Sequence, residues 1–167
     1  TALSEGDRSM QAALKFARAR EWDGFLAAAR DFQAPQQNIV YADVEGNIGF
    51  IAAGRVPQRK PANDLKGMAP APGWLEKYDW TGSIPFEDLP RSFNPPSGAI
   101  VTANHRITPP GYPHLISSSW EPPFRADRIQ ALLEATPKHS VLSFARIQAD
   151  VTSLAMRELL PKLLATQ

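Results

Sequence analysis

Between Met10 and Phe32 apolar residues return every three or four positions. Met10, Leu14 and Ala17 fall on one helical face, and Trp22, Phe25, Leu26 and Ala29 follow i, i+3, i+4 and i+7, with Phe32 three further on. This period predicts two helices within residues 7–32, the second starting near Glu21 and laying its apolar face on a core. Asp7 or Ser9 is placed to cap the first helix. From residue 35 the period shortens to two. Ile39 and Tyr41 alternate with Val40 and Ala42, then Ile48, Phe50 and Ala52 resume beyond VEGN. A hairpin of half-buried strands is predicted over about 37–53. Gly46 supplies the positive φ of its turn, and Asp43 and Asn47 brace that turn as scaffold residues.

Residues 57–98 break the pattern. They are dense in Pro and Gly and cannot hold a long helix. Yet they carry Trp74, Tyr78, Trp80, Ile84, Phe86, Leu89 and Phe93, too many aromatics for a disordered linker. An ordered loop region over a core is predicted, either as a packed cover or as the wall of a small-molecule pocket. Ala99 to Ala103 then read as a short strand running into the polar tip Asn104, His105 and Arg106. Beyond a second loop, ADRIQALLEA predicts a helix ended by Pro137, and SVLSFARIQAD predicts another. The leucine-rich tail around Leu154–Leu164 is interrupted by Pro161. His139, after Lys138 at a helix start, is expected to be exposed.

Composition narrows the classes. The 167 residues suffice for one domain with a core. Lys and Arg number 18 against 17 Asp and Glu, so charge gives no support to a nucleic-acid or polybasic membrane partner. Without Cys there is neither a disulfide nor thiol chemistry. The three His are too far apart in sequence for a zinc-ligand spacing, and no HExxH, GxSxG, P-loop or twelve-residue calcium loop occurs. From residue types alone no complete catalytic set emerges.

Four blocks change this. NIVYADVEGNIGFIAAGRVPQR, WTGSIPFEDLPRSFNPPSGAIVTANHR, WEPPFRADRIQALL and QADVTSLAMRELLP occur in that order between about residues 20 and 161. Together they resemble the penicillin acylase family of N-terminal-nucleophile hydrolases. The resemblance implies an α+β chain that forms part of a four-layer αββα stack. It implies that residues 1–167 are an internal fragment of the large subunit, lacking the strand that begins with the nucleophile. Such enzymes are cut autocatalytically from a precursor. The serine that begins the large subunit attacks a small-molecule amide, with its own α-amine as base.

The same resemblance implies site roles. Asn104 matches the asparagine whose side-chain amide stabilises the oxyanion, and Arg125 matches an arginine near the active site that orders its surroundings or holds Asn104. His105 stands where relatives often have a second asparagine and is not a base. Thr1, followed by the polar ALSEGDRS, does not resemble the nucleophile strand. The implied partners are the remainder of the large subunit and the small subunit, and the implied location is periplasmic or secreted. No cofactor is expected. The family's calcium site draws on this region, but its aspartate before Trp120 is not evident in YPHLISSSW. The acyl group, from a β-lactam, an acyl-homoserine lactone or a related amide, is not readable here. Two other readings stay open: a family member without catalysis acting as a structural or binding protein, and an unrelated small α+β domain.

Overall fold

The computed structural model describes residues 5–166, which fall into two compact units. Thr1 lies outside the described residues. One unit ends at Ile100 and takes in Thr108–Ser118. The other joins Val101–Ile107 to the chain from Ser119 onward.

The first unit opens with the two helices the apolar period requires, α1 (Ser9–Phe16) and α2 (Trp22–Asp31). Asp7 Oδ1 accepts the Ser9 N–H at 2.9 Å and so braces the start of α1. Ser9 is used differently: its hydroxyl oxygen accepts the N–H groups of Gln33 and Ala34, tying that start to the chain after α2. Glu21 stands at the N-cap of α2, whose buried face is Phe25, Ala28 and Ala29. Phe25 and Ala29 meet Tyr41, Ile51 and Ala53 in the main core, with Phe16, Trp22, Leu26, Phe32, Ile39 and Phe86 packed around them. Truncating a buried Phe of this kind costs about 3–5 kcal/mol, so Phe25 anchors the helix layer.

That layer lies on a three-stranded antiparallel sheet in the order β1 (Gln37–Ala42), β2 (Ile48–Ala53), β5 (Arg91–Phe93). Tyr41 pairs with Gly49 and Ile39 with Ile51. The turn forms as its residues dictate: Gly46 has φ 86°, Asp43 Oδ1 accepts the Asn47 N–H at 2.9 Å, and Asp43 Oδ2 accepts from the Asn47 amide and the Tyr41 hydroxyl. Strand β1 alternates, with Val40 outward. Strand β2 does not: Gly49 to Ala53 are all buried, because this strand is the middle one and is covered on both faces. Gly49 is dictated by close approach, since a Cβ there would sit 2.3 Å from the Trp22 ring.

The Pro- and Gly-rich stretch is more regular than its composition predicts. It contributes β5 to the sheet. It also forms a second antiparallel pair, β3 (Pro57–Arg59) with β4 (Trp80–Ser83), and single 3-10 turns at Glu76–Tyr78 and Phe86–Asp88. Ile84 and Leu89 join Val56 in a smaller core, with Phe86 and Ile116 against it. Trp74 and Trp80 are exposed. An open concavity of about 530 Å³ is lined by Gln58, Arg59, Lys60, Asn63, Lys66 and His114, among others.

The second unit is helical: α3 (Phe124–Glu134), α4 (Val141–Gln148) and α5 (Leu154–Leu164), with α3 packed on α5. Two expectations are corrected here. Residues 99–103 are not a strand. No described strand pairs with them, and the backbone turns into the left-handed region at Asn104, φ 63°. Nor does Pro161 interrupt the last helix, which runs through it. The missing proline N–H leaves one carbonyl of the preceding turn without its helical donor, and the Ser153 cap and the bond from the Ala165 N–H to the Pro161 carbonyl hold the two ends.

Candidate active site

Asn104 sits in an irregular polar bend. Asparagine tolerates the left-handed backbone better than other side-chain-bearing residues, because its short amide bonds locally. Its own carbonyl accepts the Glu121 N–H at 3.0 Å, which fastens the bend to the loop before α3. Arg125 stands in the first turn of α3, and its Nη1 donates to Asn104 Oδ1 at 3.0 Å. Residues 21 apart in sequence are thus joined side chain to side chain.

The chemistry of this contact is directional. A guanidinium has donors and no acceptor, so only the amide oxygen of Asn104 can face it. The Nδ2 amino group is therefore turned the other way, and the side chain is exposed. The arrangement presents two N–H donors from a neutral group whose orientation is set by a cation behind it. Beside it, Ala103 and Ala126 are buried, which lets the bend lie close to α3. The Nδ1 of His105 is buried without a hydrogen-bond partner.

Sequence reasoning misplaced His139. It is part-buried, with both ring nitrogens engaged: Nε2 lies 2.9 Å from the Leu133 carbonyl and Nδ1 lies 3.1 Å from Ser143 Oγ. Since a carbonyl only accepts, Nε2 carries a proton toward Leu133. A Ser–His contact invites a catalytic reading. Here the Ser143 hydroxyl is the N3 partner of a capping box, accepting the Ser140 N–H at 2.8 Å and donating within 2.9 Å of the Ser140 carbonyl. The pair closes the start of α4 against the end of α3.

An ion pair also lies on α3. Arg128 donates from Nε to Asp150 Oδ1 at 2.9 Å and from Nη2 to Oδ2 at 2.6 Å. These bonds, with help from Thr152, hold the Asp150 carboxyl down at about 2. No signal within the sequence paired these two, which lie 22 residues apart.

Among the described residues no three His, Cys, Asp or Glu side chains cluster as metal ligands. In the loop before Trp120, His114 Nε2 faces Asp88 Oδ2 at 3.4 Å, and Tyr112 donates to the Asp88 carbonyl.

The chain is similar in sequence and fold to known acylases. It is 38% identical over 155 residues to the acyl-homoserine lactone acylase QuiP of Pseudomonas aeruginosa, a match covering 93% of the chain and 18% of that protein. It is 40% identical over 126 residues to the penicillin acylase 2 proenzyme of a Pseudomonas species, covering 75% of the chain and 16% of the proenzyme. Among solved structures, the thermostable penicillin G acylase from Alcaligenes faecalis superposes with a TM-score of 0.73 at 28% identity, over 96% of the chain and 29% of that structure. The chain thus spans less than a fifth of the length of these two sequence relatives. The sequence profile described as penicillin amidase matches residues 1–167, and the chain belongs to that family.

Proposed function

We propose that this chain is an internal part of the large subunit of an acyl-amide hydrolase, and that Asn104 supplies its side-chain oxyanion donor. The observation that carries the reading is the Arg125–Asn104 hydrogen bond, which turns the Asn104 NH₂ outward. In the reaction, a nucleophilic hydroxyl attacks the amide carbonyl. A C–O bond forms, and the carbonyl π electrons move onto oxygen. Asn104 Nδ2 donates to that oxygen as its charge develops. Collapse re-forms the carbonyl and breaks the C–N bond, and the proton that the base took from the attacking hydroxyl passes to the departing nitrogen, which leaves as the amine. Water then hydrolyses the acyl-enzyme by the same steps.

The nucleophile and base are, by family resemblance, the serine at the start of the large subunit and its α-amine, outside this segment. The parent protein is then a precursor cut into two subunits, with the small subunit as partner, and it works in the periplasm or outside the cell. Its substrates are amides of the kind named for its relatives, an acyl-homoserine lactone or a penicillin. The four-layer αββα stack belongs to the assembled enzyme, to which this segment contributes helices and its three-stranded sheet.

A neutral donor of this type is worth about 3–4 kcal/mol in the transition state. In the full-length processed protein, Asn104→Ala is expected to lower kcat by two to three powers of ten, on the order of that loss. KM stays nearly unchanged, because the bond strengthens only as charge develops. A fall in kcat/KM of less than about fivefold in correctly processed protein would remove the oxyanion role.

A further inference from the structure

Arg125 holds Asn104 through a single exposed hydrogen bond. One such bond is too weak to keep a donor within the fraction of an ångström that catalysis demands. The direction of the Asn104 amide therefore depends on where α3 places Arg125. Arg128 lies three residues further along α3, one turn from Arg125 and on the same side of the helix.

Arg128 is held far more firmly. Its guanidinium meets Asp150 fork to fork, at 2.9 and 2.6 Å, which fixes the plane of both groups. Asp150 is itself locked. The Thr152 N–H donates to its Oδ1 at 3.1 Å, the Thr152 hydroxyl donates to Oδ2 at 3.2 Å, and the Asp150 N–H donates to the Ile147 carbonyl at the end of α4. The two side chains are only 27% and 20% exposed, so solvent screens them less than a surface pair. Asp150 and Thr152 occupy the link between α4 and α5, and α3 packs on α5. The pair therefore ties α3 to both helices behind it. It also neutralises the second of two cations one turn apart, leaving Arg125 to Asn104.

We propose that Arg128 and Asp150, with Thr152, are positioning residues of the amide-hydrolysing site: they lock helix α3 so that Arg125 presents the Asn104 amide to the oxyanion. This rests on the oxyanion reading of Asn104. Neither residue touches the substrate. Asp150→Asn keeps the shape and removes the charge.

The test is a double-mutant cycle in the full-length processed protein, assayed on an acyl-homoserine lactone and a chromogenic phenylacetyl amide. Asn104→Ala, Asp150→Asn and the double variant are compared. Asp150→Asn is expected to lower kcat roughly 10- to 100-fold with KM within about twofold, since small misplacements cost this much. In the Asn104→Ala background the same change should cost almost nothing, because the donor it positions is gone. Asp150→Glu should restore part of kcat. An equal loss in both backgrounds, or an unchanged kcat, overturns the positioning role while leaving Asn104 intact. An Asn104→Ala protein as active as the parent overturns both readings at once. If Asp150→Asn fails to mature, Thr152→Val replaces it in the cycle. It removes the hydroxyl that donates to Asp150 and accepts from Arg128, and a loss of about threefold confined to the background that keeps Asn104 is expected. No such loss overturns the proposal.

Discussion

Asn104 combines two properties that one substitution would confound: a backbone at φ 63° and a donating amide held by Arg125. Alanine removes the amide and also strains the backbone, whereas glycine removes the amide and relaxes it. If the amide carries the role, Asn104→Gly and Asn104→Ala lose kcat alike in the processed enzyme, and recovery with glycine alone would point to backbone geometry. Arg125 gives a parallel contrast. Lysine keeps the charge but not the planar fork, so Arg125→Lys is expected to lower kcat about tenfold or more with KM little changed. A variant as active as the parent would detach Arg125 from the site. Both residues were found in the sequence only by matching the family's blocks, because an asparagine and an arginine 21 positions apart carry no spacing signal. The His139–Ser143 and Arg128–Asp150 contacts were not legible at all. Each depends on a helix returning past another, and local sequence does not encode that return.

The hairpin was legible because several features of its sequence agreed: alternation in β1, a turn glycine with positive φ, and Asp43 and Asn47 at the flanks; the full burial of β2 was not, because it depends on the strand's central place in the sheet. Its polar corner also makes a titration prediction. Burial, reinforced by the Asp43 carboxylate, raises the Tyr41 hydroxyl from an ordinary value near 10 to about 12. The folded state therefore keeps that proton where the unfolded chain has lost it. This contribution to stability is whole below pH 10 and is lost as pH rises through about 12. Denaturant unfolding of the parent protein should show a loss of stability across that window, and Tyr41→Phe should flatten it. A phenolate absorbance for Tyr41 rising at the ordinary value would contradict the burial. The other elements were less legible for definite reasons. Strands β3, β4 and β5 are three or four residues long, too short to show a period, and proline and glycine surround them. Residues 99–103 have a strand's composition, but a strand also needs a neighbour to pair with, and the bend at Asn104 belongs to the helical unit instead.

At the scale of the whole chain the two units differ in how much they bury. The first has two cores. In the second, the buried hydrophobic residues are Ala103 and Ala126, while Val141, Leu142 and Phe144 of α4 and Met156, Leu159, Leu160, Leu163 and Leu164 of α5 are exposed. Met156, Leu160 and Leu164 are four residues apart on one face of α5, and exposed apolar side chains so placed favour association. The 167-residue segment, expressed alone, is therefore expected to associate as concentration rises, and Leu160→Ser with Leu164→Ser should return it toward a monomer in sedimentation experiments. A parent segment that stays monomeric at every concentration would argue that this face is harmless. Hydrolysis by the segment is the companion measurement. On the proposed reading the Asn104 amide polarises a carbonyl, but polarisation without a positioned, activated nucleophile leaves most of the barrier in place. No turnover of a penicillin, an acyl-homoserine lactone or a phenylacetyl amide is expected over a day. A Thr1→Ala version should be equally inert, and activity should return when the rest of the large subunit and the small subunit are supplied. Turnover by the segment that disappears in the Thr1→Ala protein would instead make the terminal threonine the nucleophile, and the segment a catalyst by itself.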